Sequence, residues 1–269
     1  MTELNNAVVL ITGAAGGFGR ELTKQLLAQG SHLILTDLDL EILQEQVTTI
    51  QAEVTTGKVI RCLEADLATR TGCHNLYQQV KALNIPLDIL INNAGIGLFG
   101  RMDEVPQEKW EQLMEVNLMT PMRLSSLFVA DMIACRQGHI VNISSLAGWI
   151  APAGMAHYST SKFGLRGFSE GLFNEVKPYN IKVTAVYPFF SRTPILQSAR
   201  YGTLAQNSEE IPDRLLTKPE QVMAKTIQAI VREQLHVFPD PMANCIHLLK
   251  QYFPRLSDWL INSASRRSV

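Results

Sequence analysis

Two residues four positions apart, Tyr158 and Lys162, could carry out acid–base chemistry on an alcohol. The segment reads Tyr-Ser-Thr-Ser-Lys, and residues four apart lie on the same face of a helix. Free tyrosine has a pKa of about 10 and is a weak base near neutral pH. A nearby cation favours the phenolate and lowers this pKa, so the phenol could give or take the proton of an alcohol. The alternative is an ordinary exposed pair, and the rest of the chain decides between the two.

A glycine-rich segment near the N-terminus has the form of a phosphate-binding turn. Residues 7–12 are a continuous apolar run, typical of a strand buried on both faces of a parallel sheet. Gly13, Gly17 and Gly19 follow, and a helical pattern covers 20–29. Glycines let the backbone approach a pyrophosphate, and the helix N-terminus supplies amides and a partial positive charge. The spacing is Gly-x-x-x-Gly-x-Gly, and its position between a strand and a helix predicts a dinucleotide site rather than a plain turn.

Asp37 ends the second predicted strand, at residues 32–36, and favours NAD over NADP. It lies 18 residues after Gly19, where an acidic residue accepts hydrogen bonds from the adenosine ribose hydroxyls and repels a 2′-phosphate. Residues 14–18 contain no Arg or Lys to bind that phosphate, although Arg20 follows the last glycine and complicates the preference.

Polar residues also follow three later strands, at the ends where ligands bind in open parallel sheets. They are Asp66 after strand 58–63, Asn92-Asn93-Ala94-Gly95 after strand 87–91, and Ser144-Ser145 after strand 139–143. Asp66 would either contact the adenine or cap the helix predicted over 69–83. The Asn-Asn-Ala-Gly segment would either approach the cofactor or form a plain turn. Asn117 lies inside the helical pattern over 106–136, where its amide needs a partner, and Pro121 predicts a kink or boundary.

Composition and charge exclude several other classes of function. The 269 residues carry 24 basic and 25 acidic side chains, a net charge of -1, so no basic excess indicates binding of nucleic acid or of an anionic membrane surface. Four scattered cysteines without Cys-x-x-Cys spacing indicate reduced thiols in a cytoplasmic protein. Six histidines without ligand spacing predict no metal site. We expect neither a signal peptide nor an apolar stretch long enough to span a membrane.

Strand and helix patterns alternate along the chain without a linker or an internal repeat. We therefore predict a single α/β domain that is doubly wound and Rossmann-like, with a mostly parallel seven-stranded sheet and helices on both faces. This domain covers residues 1–240 and includes a long segment without clear periodicity, 190–217, which is predicted to act as a lid. Residues 241–269 are predicted to form an amphipathic extension of the same domain, interrupted by Pro254.

These motifs together resemble the short-chain dehydrogenase/reductase family in its compact single-domain form. The matching pieces occur in the family's order and span residues 7 to 238. They are TGAAGGFG at 12–19, Asp37, Asp66, NNAG at 92–95, Asn117, Ser145, Tyr158 with Lys162, and Thr193. Each motif alone has limited specificity, whereas the ordered set is specific. The resemblance implies an NAD(P)-dependent oxidoreductase that transfers a hydride between the nicotinamide and an alcohol or carbonyl compound.

The resemblance also implies a role for each matching residue. Tyr158 is the general acid/base, and Lys162 lowers its pKa and holds the nicotinamide ribose. Ser145, thirteen residues before Tyr158, binds the substrate oxygen, and Asn117 binds a water in a proton relay. Thr193 contacts the nicotinamide carboxamide. The implied cofactor-binding residues are Gly13, Gly17, Phe18, Gly19, Asp37, Asp66, Leu67, Asn93, Ala94, Gly95, Tyr158, Lys162, Pro188 and Thr193.

One departure from the family pattern is Pro188-Phe189, where the family usually has Pro-Gly. Phenylalanine cannot adopt some backbone conformations that are open to glycine, so we expect the nicotinamide-side loop to run differently. Family members that act on lipid-like alcohols, such as retinol, have a similar Pro-Phe pair.

Apolar side chains predicted to face the site favour a steroid-, retinoid- or lipid-like alcohol or ketone as substrate, although several of them could instead belong to the core. They are Leu98, Phe99, Leu146, Trp149, Met155, Phe189 and Phe190. The predicted direct substrate contacts are Ser145, Trp149, Tyr158 and Phe189.

Other functions, and several roles of the C-terminal segment, remain open. A nucleotide-binding sensor or scaffold could keep the fold without turnover, but it would have no chemical need for Ser145, Tyr158 and Lys162. Relatives that epimerise or dehydrate sugar nucleotides usually carry a longer C-terminal domain. Segment 241–262 could contact a membrane peripherally, pack over the cleft, or pack against another subunit. The resemblance implies a homodimer or homotetramer, formed through helix 118–135 and the helix of Tyr158.

Overall fold

A seven-stranded sheet, parallel throughout, forms the centre of this computed structural model, which describes residues 1–206 and 212–265. The strands in chain order are β1 (Val8–Thr12), β2 (His32–Asp37), β3 (Lys58–Glu64), β4 (Ile89–Asn92), β5 (Phe99–Gly100), β6 (Gly138–Ile143), β7 (Ile181–Val186), β8 (Arg200–Tyr201) and β9 (His236–Val237). The sheet order is β3-β2-β1-β4-β6-β7-β9, while β5 and β8 pair with each other in parallel outside it.

Helices pack on both faces of the sheet. They are α1 (Gly17–Ala28), α2 (Leu40–Glu53), α3 (Arg70–Lys81), α4 (Gln107–Met114), α5 (Thr120–Cys135), α6 (Ala156–Val176), α7 (Gly202–Gln206), α8 (Pro219–Val231), α9 (Pro241–Tyr252) and α10 (Pro254–Ser265). One face buries side chains of α1, α2 and α8, including Leu22 and Ile227. The other buries side chains of α3, α5 and α6, including Leu76, Phe128 and Leu172. The predicted Rossmann-like, doubly wound domain is confirmed.

The strand order reverses at β1. This strand pairs with β2 on one side, where Val8 is level with His32, and with β4 on the other, where Val9 is level with Ile89. At such a reversal the connections on either side leave toward opposite faces, and a crevice opens outside the carboxyl ends of the strands. The glycine loop after β1 and the Asn-Asn-Ala-Gly segment after β4 therefore meet at this crevice.

The helical stretch Gln107–Cys135 contains a π-helical turn at Glu115–Met119. Pro121 lies in the first turn of α5, directly after that π turn, so it marks a boundary as predicted. Contrary to our expectation, the stretch is long and apolar enough, by length and composition, to cross a membrane. A core helix of a globular domain passes the same test; Leu113 and Leu124 of this stretch are buried in the protein, but only 33% of its apolar 18-residue window is.

The segment predicted as a lid, 190–217, forms several short elements. It includes a 3-10 turn at Pro194–Gln197, then β8 and α7, and its residues 207–211 lie outside the described part. β8 pairs with β5, which lies in the connection between β4 and α4. Two-residue strands have no readable periodicity, so the sequence did not predict this pairing.

The predicted amphipathic extension forms α9 and α10, which pack against each other. Asp240 caps α9, because its Oδ1 accepts a hydrogen bond from the amide of Ala243 at 2.8 Å. Pro254 begins α10 and separates the two helices, in agreement with the predicted interruption. Residues 266–269 of the predicted extension lie outside the described part of the chain.

Candidate active site

The loop between β1 and α1 brings backbone atoms close to one another. Gly13 has a φ of +62°, a left-handed conformation that favours glycine, and a Cβ there would lie 2.7 Å from Cα of Ala94. A Cβ on Gly19 would overlap the carbonyl oxygen of Gly13, and one on Gly17 would lie 2.6 Å from Cγ2 of Thr193. The three glycines therefore keep the space at the N-terminus of α1 free of side chains, as a bound pyrophosphate requires.

Asp37, at the carboxyl end of β2, holds this loop with its side chain. Its Oδ2 accepts a hydrogen bond from the amide of Ala15, and its Oδ1 accepts one from the amide of Leu38, both at 2.8 Å. The residue is half-buried at the edge of the glycine loop. A carboxylate has about four lone-pair sites, so this one can also accept hydrogen bonds from the hydroxyls of an adenosine ribose.

The structure excludes one of the two interpretations of Asp66. The N-cap of α3 is Thr69, whose hydroxyl accepts a hydrogen bond from the amide of Gly72 at 2.9 Å. Asp66 is exposed and accepts a hydrogen bond from the amide of Ala68 at 3.0 Å. The capping interpretation is therefore wrong, and adenine contact stays a prediction. The side chain of Leu67 is buried in the core, so its predicted cofactor contact would have to come from its backbone.

Asn93 ties the loop after β4 to the loop after β1. Its Nδ2 donates to the carbonyl oxygens of Thr12 and Gly13, both at 2.9 Å. The hydroxyl oxygen of Thr12 accepts hydrogen bonds from the amides of Asn93 and Ala94, both at 3.0 Å. These four bonds hold the two loops together at the crevice, which a plain turn would not need.

The two serines after β6 have different surroundings. Ser144 is buried, and its hydroxyl donates to the carbonyl oxygen of Lys162 at 3.1 Å. Ser145 is half-buried, its Oγ accepts a hydrogen bond from the amide of Ala147 at 3.1 Å, and its hydroxyl is close enough to the phenol of Tyr158 to act on the phenol's pKa. This arrangement places Ser145, rather than Ser144, beside the phenol.

Tyr158 and Lys162 lie in the first two turns of α6 and come together as their spacing predicts. Lys162 is 4% exposed, its Nζ lies 5.7 Å from the centre of the Tyr158 ring, and it donates to the carbonyl oxygen of Ile143 at 3.1 Å. Burial lowers the pKa of Lys162 to about 8. Part of the Tyr158 ring surface is exposed, yet burial raises the pKa of this phenol to about 12, while the Ser145 hydroxyl acts in the opposite direction. Desolvation thus shifts the pKa of Tyr158 in the direction opposite to that predicted from the pair alone.

Asn117 lies in the π-helical turn, and its buried amide bonds both backbone groups of Ile96. Its Oδ1 accepts from the amide of Ile96 at 2.8 Å, and its Nδ2 donates to the carbonyl oxygen at 2.9 Å and contacts Oγ of Ser161 at 3.4 Å. A Cβ on Gly95 would lie 3.3 Å from Oδ1 of Asn117 and 3.7 Å from Nζ of Lys162. The amide of Asn117 therefore has the partner that its place inside a helical pattern requires, and it lies where the loop after β4 meets Lys162. Its predicted role in a proton relay stays a prediction.

The loop after β7 is held by Asp240, which sequence reasoning missed. Asp240 is 4% exposed, and its Oδ2 accepts a hydrogen bond from the amide of Phe189 at 2.9 Å. Phe189 keeps a negative φ, and its ring meets that of Phe190 edge-on, with centroids 4.8 Å apart. Pro188 is buried, and its carbonyl oxygen accepts from the amide of Leu146 at 2.9 Å. The available signal for Asp240 was an aspartate followed by proline at the start of a helical pattern, which is typical of an N-cap.

Trp149, predicted to contact the substrate, lies in a different cluster. Its ring meets the rings of Phe238 and His247 edge-on, with centroid distances of 5.6 Å and 4.3 Å. The guanidinium of Arg166 lies 3.3 Å from the ring centre. Arg166 is two helical turns after Tyr158, about 12 Å along the axis of α6. The structure therefore places Trp149 where it anchors α9 to the rest of the domain and does not bring it together with the phenol.

An apolar cluster packs against the Tyr158 ring. Leu98, Val105 and Leu113 are buried together, and the Tyr158 ring packs against them. Other side chains packed against this cluster are Ile96, Trp110, Met114 and Tyr201. Of the residues predicted to face the site, Leu98 belongs to this cluster, whereas Tyr201 was not among the predicted residues.

The crevice suits a dinucleotide by its own geometry. The backbone at Gly13 and Gly19 is too close to its neighbours to admit a side chain, the α1 N-terminus has no acidic residue in its first turn, and Asp37 lies at the edge of the glycine loop. Within residues 1–206 and 212–265, no three His, Cys, Asp or Glu side chains form a group that could hold a metal ion.

Comparison with known proteins agrees with this geometry. The family model described as short chain dehydrogenase matches residues 7–203, a range that contains all the predicted cofactor-binding and catalytic residues. Epidermal retinol dehydrogenase 2 of Homo sapiens is 32% identical over 258 residues, which are 94% of this chain and 80% of that protein.

Two further proteins are similar to this chain over most of their own length and most of its length. Acetoacetyl-CoA reductase of an Acinetobacter strain is 30% identical over 230 residues, 86% of this chain and 92% of the reductase. The solved structure of a short-chain dehydrogenase from Sphingobium yanoikuyae in complex with NADPH is 26% identical, with a TM-score of 0.78 over 94% of this chain and 96% of that chain.

Proposed function

Because the chain belongs to the short-chain dehydrogenase family of NAD(P)-dependent oxidoreductases, we propose that it transfers a hydride between a nicotinamide cofactor and an apolar alcohol or ketone. The observation that carries this proposal is the grouping of Ser145, Tyr158 and Lys162 beside the glycine-loop crevice. A protein that only sensed a nucleotide would gain nothing from burying a lysine next to a desolvated phenol, which costs free energy.

The cofactor would lie along the carboxyl ends of the strands. A nicotinamide dinucleotide supplies the hydride acceptor or donor when it is bound. We assign its pyrophosphate to the amides at the N-terminus of α1, its adenosine ribose to Asp37, and its nicotinamide side to Lys162 and Thr193. The contact between Gly17 and Thr193 supports this assignment, since it brings the glycine loop and the segment after β7 to one place.

Tyr158 would hold the proton that the substrate oxygen gains or loses. Burial keeps its phenol protonated well above neutral pH, and this is the form that donates to a carbonyl oxygen. Ser145, which lies beside the phenol, would bind the same substrate oxygen. Lys162, held at the carbonyl of Ile143, would supply the positive charge that favours phenolate when an alcohol is oxidised.

Asp37 makes NAD the cofactor we favour over NADP. Its carboxylate would lie next to a 2′-phosphate, and like charges repel at that distance. The exposed Arg20 beside the loop, and the relative in complex with NADPH, are reasons to compare both cofactors. We expect Asp37→Ser to move the ratio of kcat/KM values toward NADP by about tenfold or more. An unchanged ratio would show that Asp37 does not select the ribose.

The apolar cluster beside Tyr158 supports an apolar substrate. Leu98, Trp110 and Met114 lie in or against it, and Phe189 is held at the neighbouring loop. A relative named as a retinol dehydrogenase agrees with an apolar alcohol, and one named as an acetoacetyl-CoA reductase adds acyl thioesters to the classes worth testing.

The test is turnover by the purified protein, followed by the absorbance of the reduced nicotinamide. Steroid, retinoid, aliphatic and sugar alcohols, with the matching carbonyl compounds, would be offered with NAD or NADP. We expect turnover of apolar compounds, a loss of about 10³-fold or more in Tyr158→Phe with cofactor binding retained, and no change in the exposed control Tyr179→Phe. Faster turnover of sugar alcohols would contradict the apolar substrate, and cofactor binding without any turnover would favour the sensor.

The outer surface of α9 and α10 supports peripheral contact with an anionic membrane. Tyr252, Phe253 and Trp259 expose 66%, 62% and 63% of their surface, and Leu256 between them exposes 47%. The spacing of three and four residues continues across the break between the helices, as in an amphipathic surface. Segment 241–269 carries four basic residues and one acidic residue. Aromatic side chains with basic neighbours are typical of helices that lie in the interface of anionic lipids.

Vesicle co-sedimentation tests this contact. We expect the wild type to bind vesicles containing anionic lipid more strongly than neutral ones, and Phe253→Ser with Trp259→Ser to abolish the difference. Tyr179→Ser, which removes an exposed aromatic ring elsewhere, should leave it intact. If the double variant instead converts a dimer into a monomer and vesicle binding does not change, the surface faces a second copy and the membrane proposal is wrong.

We also propose a homodimer or homotetramer formed through the outer faces of α5 and α6. Within one chain, only 33% of an apolar 18-residue stretch inside Gln107–Cys135 is buried. Phe163 on α6 is 41% exposed. Sedimentation should show a smaller assembly for Phe163→Arg than for the wild type.

A further inference from the structure

Two short strands join the segment after β7 to the segment after β4. In the β5–β8 pair, Phe99 is level with Arg200 and Gly100 with Tyr201. The amide of Phe99 donates to the carbonyl oxygen of Ala199 at 3.1 Å. The guanidinium of Arg200 also lies over the Phe99 ring, 5.1 Å from its centre. A two-residue ladder is weak by itself, so other contacts must keep the two segments together.

Glu104 supplies those contacts. Its Oε2 accepts a hydrogen bond from the amide of Thr203 at 2.8 Å, and its Oε1 accepts one from the hydroxyl of Thr203 at 3.0 Å. Arg101 forms an ion pair with Glu104 at 3.1 Å and contacts the Thr203 hydroxyl at 3.4 Å. Gly202 has a φ of +70°, and a Cβ there would overlap the Glu104 carboxylate. The carboxylate is therefore fitted to the turn that directly follows β8.

Tyr201 is the side chain that this attachment positions. Its ring packs against the buried cluster of Leu98, Val105 and Leu113, which is also the cluster that Tyr158 packs against. A Cβ on Gly100 would lie 3.2 Å from Cβ of Tyr201 and 2.7 Å from its carbonyl oxygen, so the two strands touch at this point. The apolar body of a substrate bound at Tyr158 would share this cluster with Tyr201.

From this arrangement we propose that Tyr201 is a specificity-determining wall of the substrate pocket and that Glu104 is a positioning residue that holds it there through Thr203. The inference rests on the proposed function, since it names what limits the size of the substrate at the same site. Removing the ring opens the pocket toward the cluster. Long or branched substrates then gain room, whereas short ones lose apolar contact.

The experiment compares short and long 2-alkanols and their ketones in the wild type, Tyr201→Ala and Tyr201→Phe. We expect Tyr201→Ala to shift the ratio of kcat/KM values toward the long substrates by about tenfold or more, mainly through KM. Tyr201→Phe keeps the ring and should behave as the wild type. An equal loss of kcat for all substrates, with the ratio unchanged, would mean a general structural role and would overturn the proposal.

The role of Glu104 is tested by asking whether the effect of Glu104→Ala depends on the presence of the Tyr201 ring. Glu104→Ala should shift the ratio in the same direction as Tyr201→Ala, and it should have no further effect when the two changes are combined, because it acts only through the ring. Glu108→Ala removes an exposed acid nearby and serves as the matched control. Additive effects of the two changes would show that Glu104 does not position Tyr201. Glu104→Gln is the conservative second variant if Glu104→Ala does not fold.

A binding measurement separates this inference from the proposed function. Quenching of tryptophan emission reports binding of the same alcohols and ketones without requiring turnover. If the wild type binds them but turns none over, the proposed function fails, and the size preference of Tyr201→Ala in binding still decides the role of the ring. If the wild type binds none of them, or if binding shows no change in size preference, the specificity wall is wrong.

Discussion

The half of the site that we assign to the cofactor is held between loops that directly follow neighbouring strands of the central sheet, whereas the half that we assign to the substrate is held by short segments outside that sheet. In the first, Asn93 and Thr12 join two loops with four hydrogen bonds, and Gly13 lies against Ala94. In the second, a two-residue ladder depends on the Glu104 carboxylate. The first half is therefore tied to the strands of the sheet, while changes in the second half could alter the substrate preference without disturbing the sheet.

Among the variants that separate the two halves, Gly19→Ala should have the largest effect, and this effect should be on cofactor binding alone. In Gly19→Ala the new methyl would meet the carbonyl of Gly13 and the backbone of Ala14, and neither can move aside as a flexible side chain would. We expect NAD binding to weaken by about 1–3 kcal/mol, up to about a hundredfold in Kd. Calorimetric titration measures this. Binding at wild-type strength would show that the loop has room that the structure does not reveal.

Acidification should weaken the sheet that supports both halves. His139 in β6 is buried, its ring nitrogens contact the hydroxyls of Thr2 and Thr184 at 2.9 Å and 2.8 Å, and burial lowers its pKa to about 3. Below its ordinary pKa of about 6.5 the unfolded chain takes up a proton that the folded protein does not. The contribution of His139 to the free energy of unfolding is therefore fully present above about pH 6.5 and is lost progressively as the pH falls to about 3.

The size of this effect follows from the same shift. We expect the free energy of unfolding to fall by about 2 kcal/mol between pH 7 and pH 5 because of His139. Urea titrations of the wild type and of His139→Asn at both pH values measure it. An equal pH dependence in the two proteins would show that other groups control the acid sensitivity.

Asp240→Ala should have a smaller effect, and it should change binding of the alcohol but not of the cofactor. Asp240→Ala leaves the amide of Phe189 without its acceptor and removes the cap of α9. We expect a loss of about 1–2 kcal/mol in stability and a raised KM for the alcohol, with the Kd of the cofactor unchanged. Thr69→Ala removes the cap of α3 and should lower stability without changing the KM of the alcohol. Equal changes in KM for both variants would mean that lost stability, not the Phe189 loop, is responsible.

The smallest effect should leave both halves intact. A Cβ on Gly167, inside α6, meets nothing within 4 Å, and alanine is favoured over glycine in a helix by about 0.5–1 kcal/mol. Gly167→Ala should therefore raise the unfolding temperature slightly with no change in kcat or KM. A lower unfolding temperature together with a smaller assembly would place this face of α6 in a subunit interface.

The elements of the cofactor half were predictable because each is marked by a local pattern. The apolar run before Gly13 predicts a strand that the structure places at β1, and the four-residue spacing of Tyr158 and Lys162 brings them together on α6. The observed helix bounds differ from the predicted ones by a few residues. The difference is largest at α1, which was predicted to begin at residue 20 but begins at Gly17, so that its first turn includes part of the glycine loop.

Elements of the substrate half were less predictable because their partners are far apart in the chain. β5 and β8 are two residues each and have no period of their own. Trp149 was predicted to contact the substrate, but its ring packs against Arg166, Phe238 and His247. Nothing local to Phe189 reveals that its amide bonds a carboxylate 51 residues later.

The sequence by itself determined the family, the order of the seven strands of the central sheet along the chain, and which residues could do chemistry, because spacing and turn chemistry are properties of neighbours along the chain. Only the tertiary structure decided how those residues behave. Burial raises the pKa of Tyr158 although a lysine lies four residues away, and Thr69 rather than Asp66 caps α3. Desolvation and hydrogen-bond partners depend on residues brought together from distant parts of the chain, and a pattern along the sequence does not record them.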